Sequence, residues 1–360
     1  MDKLMQAREA IGAIDKEIAA LFEQRMNAVR LVSEYKIEHG LPIYDAARED
    51  ALIAKNTAMI GDEELRSYYV DFLRNTMRVS RNFQAKLSEG MRVAFSGVEG
   101  AFASIAAGKI FDRCVRVPFH DFRSAYHAVV SGDCDCAVLP IENSTAGSVK
   151  KVYELMLHHN FHIVRSVRIK IDHNLLARRG AKLENIREIV SHEQAINQCS
   201  SFLRSLGDIK ITIAPNTALA AKMVAESGRD DIAALSSRFC AELYGLETLS
   251  EAVQDMGNNH TRFICISKDA EIYPGADKLT LMLVTPNKPG ALYNVLSCFN
   301  ALGVNMTKLE SCPIPERDFE SMFYFDFTVS VYSNNLERLL CELEARGERY
   351  KLLGAYSEII

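Results

Sequence analysis

Residues 8–36 read REAIGAIDKEIAALFEQRMNAVRLVSEYK, and this stretch decides the fold of the first part of the chain. Steps of three and four residues from Arg8 collect one face of a long amphipathic helix that is apolar at most of its positions. Arg25 interrupts this face in the middle, and Arg8 and Lys36 interrupt it towards its ends. An unpaired buried charge is costly, and Asp15 can serve at most one of the three cations. The surplus positive charge predicts a small anionic ligand.

One such cation alone would more simply extend to solvent, but three on one stripe favour a ligand. The segment 40–42, Gly-Leu-Pro, ends this first helix, and Asp45 can cap a second one. A third helix is predicted from about Glu63 to Leu87, with Ser80 and Gln84 on one side of it. A helix as long as the first one does not bury its apolar stripe alone, so the segment is predicted to be an intertwined dimer.

The polar residues on these helices lie at irregular spacings that agree with one another: Arg8, Arg25, Lys36, Asp45, Arg48, Glu49, Ser80 and Gln84. In this set, residues 1–88 resemble the all-helical chorismate mutase family. The resemblance implies that all eight residues bind chorismate, with Arg8 reaching in from one subunit. It also implies rearrangement of chorismate to prephenate, with Lys36 and Gln84 as catalytic donors to the ether oxygen. That reaction requires a compact substrate conformer and stabilisation of developing charge.

Length and composition bound the remaining possibilities. A chain of 360 residues is expected to hold two or three domains, and a formal net charge of −5 without a basic stripe argues against nucleic acid. No stretch approaches the roughly 18 apolar residues of a membrane helix. The nine scattered cysteines form no framework, which favours a reduced cytoplasm. We expect neither a metal site nor another cofactor.

Helical periodicity gives way to alternating β and α segments after residues 88–90. Short apolar strands are predicted at 91–96, 115–118, 137–140, 163–171, 188–191, 209–214 and 232–235. This order predicts an α/β domain in two lobes with a parallel or mixed sheet, whose ligands lie at the carboxyl ends of strands. The polar loops there are 97–101, 142–148 and 191–194.

Four motifs in residues 91–268 resemble prephenate dehydratase: Pro140-Ile141-Glu142-Asn143-Ser144-Thr145, Ser191-His192 through Gln198-Cys199, Asn216-Thr217-Ala218 and Asn259-His260-Thr261-Arg262-Phe263. The resemblance implies a two-lobed domain like the periplasmic binding proteins, with Thr261 placed catalytically against the hydroxyl that leaves the prephenate ring. A threonine hydroxyl can donate a hydrogen bond there or relay a proton from a stronger acid. The prephenate-binding residues it implies are Asn143, Ser144, Thr145, Ser191, Gln198, Thr217, Thr261, Arg262 and Phe263. For Arg262, binding of a carboxylate and a structural salt bridge are equally good interpretations.

Residues 273–275, Tyr-Pro-Gly, form a linker into a third unit at 278–355, where a β-α-β-β-α order predicts a ferredoxin-like α+β plait. This unit resembles the regulatory ACT domain, which implies a phenylalanine site formed by Gly290, Ala291, Leu292, Asn305, Glu310 and Ser311. Gly290 allows close approach to the backbone, and the helix start at Ala291 favours a carboxylate. The family usually has arginine where this chain has Cys312, which predicts weaker feedback.

Three resemblances in one order predict a bifunctional enzyme that converts chorismate to prephenate and then to phenylpyruvate, under feedback by phenylalanine. The domains are expected at 1–88, 91–268 and 278–355, in a cytoplasmic homo-oligomer that is a dimer or a dimer of dimers. An arogenate-preferring dehydratase is one alternative. A non-catalytic two-lobed amino-acid sensor is another, although such a sensor has no use for Thr261 or the mutase residues.

Overall fold

The computed structural model describes residues 3–285, 287–314, 321–345 and 349–360, and the chain divides into two compact units, Met1–Arg92 and Val93–Ile360. The first unit is all-helical, as predicted, and its helices are α1 (Lys3–His39), α2 (Ala46–Thr57) and α3 (Glu63–Glu89). Asp45 caps α2 as expected, because its Oδ1 accepts from the backbone N–H of Arg48 at 3.1 Å. Asp62 caps α3 in the same way through the N–H of Glu64.

The apolar face of α1 lies uncovered within the single chain. Its isoleucine, leucine and phenylalanine side chains are between 44% and 62% exposed: Ile11, Ile14, Ile18, Leu21 and Phe22. Exposed apolar side chains in a continuous stripe mark a surface that another element covers.

The second unit contains two sheets with helices packed on them. Its elements up to the last part of the chain are β1 (Met91–Ser96), α4 (Phe102–Ile110), β2 (Cys114–Phe119), α5 (Phe122–Val130), β3 (Cys136–Asn143), β4 (Gly147–Ser148), α6 (Lys150–His158), β5 (His162–Lys170), β6 (Asn174–Ala177), β7 (Glu188–Ser191), α7 (Glu193–Gln198), α8 (Ser200–Ser205), β8 (Lys210–Ile213), α9 (Thr217–Glu226), β9 (Ile232–Ser236), α10 (Arg238–Tyr244), β10 (Glu247–Ser250) and β11 (His260–Ser267).

These strands build the two predicted lobes. Lobe one holds β1, β2, β3, β5 and β11, whereas lobe two is a five-stranded sheet in the order β10-β6-β9-β7-β8 among the described residues. The chain crosses between the lobes after β5 and returns before β11. Gly100 (φ +91°) lets the loop after β1 approach lobe two, since a Cβ there would lie 2.9 Å from Cys240 Sγ.

The last part of the chain is a ferredoxin-like plait whose sheet continues that of lobe one. Its elements are β12 (Lys278–Thr285), α11 (Ala291–Ala301), β13 (Asn305–Pro313), β14 (Ser321–Thr328), α12 (Asn334–Ala345) and β15 (Arg349–Ile359). Helices α11 and α12 pack on one face of the sheet, and the other face packs against α6. The order β13-β14-β12-β15-β5-β11-β3-β1-β2 joins plait and lobe through pairing of 357–359 with 165–167.

Among the described residues, the sequence prediction missed five strands, β4, β6, β10, β11 and β15, and charge explains the last two omissions. Strand β11 runs through the centre of lobe one but carries Arg262, and β15 carries Glu358, so neither reads as an apolar run. Strand β15 completes the plait, which was predicted without its last strand. The predicted limits 91–268 and 278–355 therefore fall within one compact unit.

Candidate active sites

The first site is a cavity of about 150 Å³ between the three helices of the N-terminal unit. It brings together seven of the eight residues predicted to bind chorismate. The residues that line it are Arg25, Val29, Val32, Lys36, Ile43, Asp45, Arg48, Glu49, Leu52, Met77, Ser80, Arg81 and Gln84. Burial lowers the pKa of the Arg25 guanidinium, although arginine stays charged at physiological pH.

Hydrogen bonds fix several of these side chains in the cavity. Arg25 donates to Ser80 Oγ, which in turn donates to the carbonyl of Thr76 at 2.8 Å. Lys36 Nζ donates to the carbonyl of Ile43 at 2.6 Å, across the turn between α1 and α2. Gln84 Oε1 is buried with no hydrogen-bond partner among the described residues, and Nε2 donates one proton to the carbonyl of Ser80 at 3.4 Å, which leaves its second proton for a ligand.

Two residues need separate comment: Arg8, whose predicted entry from another subunit a single chain does not test, and Arg81. Arg8 is exposed and does not line the cavity in the single chain. Arg81 was not predicted, yet it lines the cavity and forms an ion pair with Glu49. Its position beside Ser80 and one helical turn before Gln84 is the sequence signal that would have found it.

The second site is a cavity of about 320 Å³ between the two lobes. Five of the nine predicted prephenate-binding residues line it: Asn143, Gln198, Thr217, Thr261 and Phe263. Thr261 on β11 faces Asn143 on β3 in register, and Asn143 Nδ2 donates to Thr261 Oγ1 at 2.9 Å. Because Thr261 Oγ1 accepts this bond, its own proton is left to donate to a ligand.

Three of the predicted binders instead hold the site in place. Thr145 donates to Asn143 Oδ1 at 2.7 Å and accepts from Gln198 Nε2 at 3.2 Å, so it orients two cavity residues. Ser144 bonds to the backbone of residues 258 and 260, away from the cavity. Ser191 is fully buried and donates to the carbonyl of Leu235. Burial excludes direct substrate contact for Ser191 alone, whereas Ser144 and Thr145 are exposed and the contacts predicted for them stay predictions.

Arg262 does not face this cavity, which corrects its assignment as a substrate-binding residue. Successive side chains of a strand point to opposite faces, so Thr261 and Phe263 line the cavity and Arg262 points to the plait. There it pairs with Asp326, lies 3.0 Å from Glu358 and donates to Tyr356 Oη at 2.7 Å. The structural salt bridge is the correct one of the two interpretations.

The charge of the cavity comes from backbone and histidine groups. Among the described residues, its lining contains no lysine, arginine, aspartate or glutamate, and its titratable side chains are His173 and His192. Helices α4 and α9 begin at its wall, with Ala101 to Ala103 from one and Asn216 and Thr217 from the other. Ala101 caps α4 without a side-chain bond, which leaves first-turn N–H groups for an anion.

The residues of the predicted phenylalanine site do not meet in one cavity of the described chain. Gly290 (φ +81°) precedes α11 and Ala291 is buried behind it, whereas Asn305 and Ser311 are exposed on β13. Glu310 faces lobe one instead of a ligand, and accepts from Ser148 Oγ at 2.6 Å. Cys312 also faces lobe one and packs against its core. Leu292 packs against the core of the plait.

Metal clusters and membrane-spanning helices are absent from the ranges 3–285, 287–314, 321–345 and 349–360. These ranges contain no group of three or more histidine, cysteine, aspartate or glutamate side chains that could hold a metal ion. They also contain no helix that is both long and apolar enough to cross a membrane.

Family models match both sites. A model of prephenate dehydratase matches residues 93–271, and a model of chorismate mutase type II matches residues 7–85. The two models follow each other in the order predicted from the motifs, and each covers one of the two cavities.

Similar proteins extend the match over nearly the whole chain. A bifunctional chorismate mutase/prephenate dehydratase of Enterobacter agglomerans is 31% identical over 98% of this chain and 95% of its own length. An arogenate dehydratase/prephenate dehydratase 2 of Arabidopsis thaliana is 36% identical over 74% of this chain and 72% of its own. The structure of prephenate dehydratase in complex with L-Phe from Arthrobacter aurescens has a TM-score of 0.67 and 28% identity, covering 74% of this chain and 90% of that one.

Proposed function

The chain belongs to the family of bifunctional chorismate mutase/prephenate dehydratases, and from this premise we propose how its two cavities divide the work. The N-terminal cavity rearranges chorismate to prephenate, and the cavity between the lobes converts prephenate to phenylpyruvate. The observation that carries this proposal is the presence of both cavities in one chain, each built around the residues that its reaction needs.

In the mutase cavity the protein acts by position and charge. Arg25 and Arg48 offer guanidinium groups to the two carboxylates of chorismate, for which a planar fork is well suited. Lys36 and Gln84 donate to the ether oxygen on which charge develops, and Glu49 accepts from a substrate hydroxyl. The rearrangement needs no nucleophile, so holding the reactive conformer is the main task.

In the dehydratase cavity the substrate is a dianion in a site without a fixed side-chain charge. The first turns of α4 and α9 bind its carboxylates through backbone N–H groups. The free proton of Thr261 hydrogen-bonds the ring hydroxyl that departs, while Asn143 holds Thr261 in place. Phe263 provides an apolar wall for the ring.

Prephenate is the better candidate for the natural substrate of the second cavity. Arogenate carries an amino group in place of the keto oxygen, and one relative is named for both substrates. However, a relative whose similarity also covers the mutase segment is named for prephenate. A mutase in the same chain supplies prephenate, whereas arogenate would need an amino transfer in between.

The C-terminal plait is an ACT domain that binds phenylalanine and inhibits the dehydratase. The loop before α11, with Gly290, Ala291 and Leu292, forms one wall of the amino-acid site, and Asn305 of a second copy forms another. Strand β13 lies at the edge of the sheet and exposes alternate residues, so it can meet a second plait there. A relative's structure holds L-Phe, which supports this assignment.

Assembly completes the mutase cavity as well. A second copy covers the exposed stripe of α1 and inserts its own Arg8 into the cavity, so the working unit is a homodimer or a dimer of dimers. All nine cysteines are thiols outside any disulfide, which fits a reducing compartment such as the cytoplasm.

A coupled assay tests the two activities. The purified chain is given chorismate, and prephenate and phenylpyruvate are measured over time. Lys36→Ala should abolish use of chorismate but leave conversion of added prephenate intact. Thr261→Ala should accumulate prephenate and lower dehydratase turnover on the order of 10²-fold with a smaller change in KM. Loss of dehydratase activity alone in Lys36→Ala would contradict the assignment of cavities to reactions.

A further inference from the structure

The dehydratase reaction leaves one proton unaccounted for. Loss of carbon dioxide from the ring carboxylate leaves its bonding electron pair in the ring, and this pair expels the ring hydroxyl. The hydroxyl oxygen must take up one proton to leave as water. Thr261 is too weak an acid to supply it, because an aliphatic hydroxyl stays protonated throughout the physiological pH range.

His173 occupies the position from which a proton can come. It lies on the segment that crosses from β5 to β6 and lines the same cavity as Thr261. Its side chain is almost completely buried, with an exposed fraction of 2%. Phe102 at the start of α4 meets its ring edge-on, with the centroids 6.2 Å apart. A buried histidine at a ligand cavity is a better proton donor than one in water, since little solvent competes for the proton.

The hydrogen bonds of His173 fix which nitrogen is free. Nε2 lies 3.0 Å from Gln198 Oε1, and that oxygen also accepts from Asn259 Nδ2. Because Gln198 donates through its own Nε2 to Thr145, its Oε1 is the acceptor and His173 Nε2 is the donor. Nδ1 is buried and has no hydrogen-bond partner among the described residues.

A network ties His173 to the catalytic threonine. Gln198 connects His173 to Thr145, Thr145 donates to Asn143, and Asn143 donates to Thr261. These bonds join a residue of the interlobe crossing to β3 and β11, so the acid and the threonine are held in one rigid arrangement. The network positions the two groups, and the proton itself does not travel through the amides.

We propose that His173 is the general acid of the dehydratase, donating the Nδ1 proton to the ring oxygen of prephenate as the carbon–oxygen bond breaks. This assignment rests on the proposed function of the cavity. The histidine enters the reaction as the cation and leaves it neutral, carbon dioxide takes no proton, and the oxygen leaves as water. Solvent then returns the proton to Nδ1.

The surroundings of His173 control its charge. Burial, the largest effect, lowers its pKa, whereas Gln198 and Asp172 raise it. Asp172 itself is held by Lys170 at 3.0 Å and by Gln254 at 2.8 Å, and Asp255 on the neighbouring segment bonds Ser200 and Ser201. The other titratable side chain of the cavity is His192, the cap of α7. A dianionic substrate supplies the opposite charge that favours the protonated ring.

The pH dependence of turnover tests the proposal. In the full-length enzyme, dehydratase kcat should fall as pH rises through the pKa of His173 in the substrate complex. His173→Gln keeps a donor for Gln198 but does not titrate, so kcat should drop about 10²- to 10⁴-fold and lose this pH dependence. KM for prephenate should change much less, and chorismate mutase activity in the same protein should stay normal.

Two further variants make the test decisive. His173→Ala leaves a cavity, and added imidazole should restore turnover with a pH dependence that follows imidazole. His192→Asn keeps a good helix cap and should retain the wild-type slope of kcat against pH. The proposal is overturned if His173→Gln keeps that slope, if His192→Asn alone loses it, or if imidazole fails to rescue a folded His173→Ala. Wild-type enzyme without dehydratase activity would instead refute the function of the cavity.

Discussion

Arg81 changes the charge of the mutase cavity, because it brings a fourth cation to a site that already holds Arg25, Lys36 and Arg48. Its partner Glu49 is the group assigned to a substrate hydroxyl. Both side chains are largely buried, with 30% and 24% of their surfaces exposed, so the pair is screened less than a surface salt bridge. Arg81 also stacks over Tyr44, with 5.1 Å to the ring centroid. It therefore holds Glu49 in one orientation.

Arg81→Met should loosen Glu49 and lower kcat/KM of the mutase about tenfold, the equivalent of about 1.4 kcal/mol. The effect should be larger in KM than in kcat if Arg81 also attracts the dianionic substrate. Steady-state kinetics with chorismate measure both. Arg74→Met is the matched control on the same helix. Arg74 is exposed, and its ion pair with Asp71 is long, at 3.9 Å. If Arg74→Met lowers kcat/KM as much as Arg81→Met does, Arg81 has no specific role in the site.

Individual residues also mark where sequence reasoning succeeds and where it stops. Helical periodicity placed Arg25 and Lys36 on one face of α1, because it decides which side chains of a helix share a face. The resemblance to the chorismate mutase family, and not periodicity, joined Ser80 of α3 to them. Arg262 is different, since its motif places it beside Thr261 but does not say which face of a strand it takes. His173 was not predicted at all. Its importance depends on Gln198 and Asn143, which lie far from it in sequence and meet it only in the folded lobes.

At the scale of elements, the paired strands β3 and β11 both line the cavity and contact the plait. Asn143 and Thr261 face each other and the cavity, and the next register pair is Glu142 and Arg262. The latter two contact the plait: Glu142 lies 2.8 Å from Lys308, and Arg262 enters the cluster around Asp326. A bulge follows Arg262 in this pairing, a feature that re-aims side chains beside active sites. We therefore expect a shift of the plait to reach Thr261 through its immediate neighbour.

Tyr356→Phe tests this connection by removing the hydroxyl that bonds both Arg262 and Thr280 at 2.7 Å. Loss of one buried partner should lower the free energy of unfolding by about 1–3 kcal/mol. Phenylalanine should still bind, as measured by calorimetry. It should inhibit prephenate turnover several-fold less, because coupling requires that both sites contact the same structural element.

Tyr324→Phe is the control for that variant. Tyr324 is equally buried on β14, which β12 separates from β15, but its hydroxyl has no hydrogen-bond partner among the described residues. Its removal should therefore leave inhibition unchanged and cost little stability. If both variants keep full inhibition, the Arg262 cluster serves stability alone. If neither the wild type nor the variants bind phenylalanine, the sensor role of the plait is refuted.

Most elements followed from sequence pattern, and two of the exceptions, β11 and β15, have a physical reason. Strands such as 91–96 and 188–191 were predicted at their observed limits, since they are apolar runs between loops. The central β11 and the terminal β15 were not, because buried Arg262 and Glu358 neutralise each other only after the plait has docked on lobe one. Local pattern cannot identify a buried charge whose partner lies about a hundred residues away. The sheet that plait and lobe share also depends on residues far apart in sequence. Gly354 lets the backbone of β15 approach β5, as a Cβ there would lie 2.1 Å from the carbonyl oxygen of Ile163.

At the scale of the whole molecule, the exposed apolar stripe of α1 is the surface that bears on assembly. In the isolated chain the stripe is exposed, whereas Arg8 at its start lies outside the cavity that it was predicted to join. One arrangement resolves both facts: a second α1 packs along the stripe and brings its own Arg8 to the neighbouring cavity. The mutase activity would then depend on association, while the cavity between the lobes is complete in one chain.

Leu21→Asp should separate the mutase activity, which depends on association, from the dehydratase activity, which does not. Leu21 is 62% exposed in the single chain, and a carboxylate there would be buried unpaired on association. The variant should dissociate in analytical ultracentrifugation and lose mutase activity, with dehydratase turnover of added prephenate largely kept. Lys16→Asp introduces the same carboxylate on the opposite face of α1 and should affect neither assembly nor activity. A Leu21→Asp protein that becomes monomeric yet retains its mutase rate would show that each cavity works without a partner's Arg8.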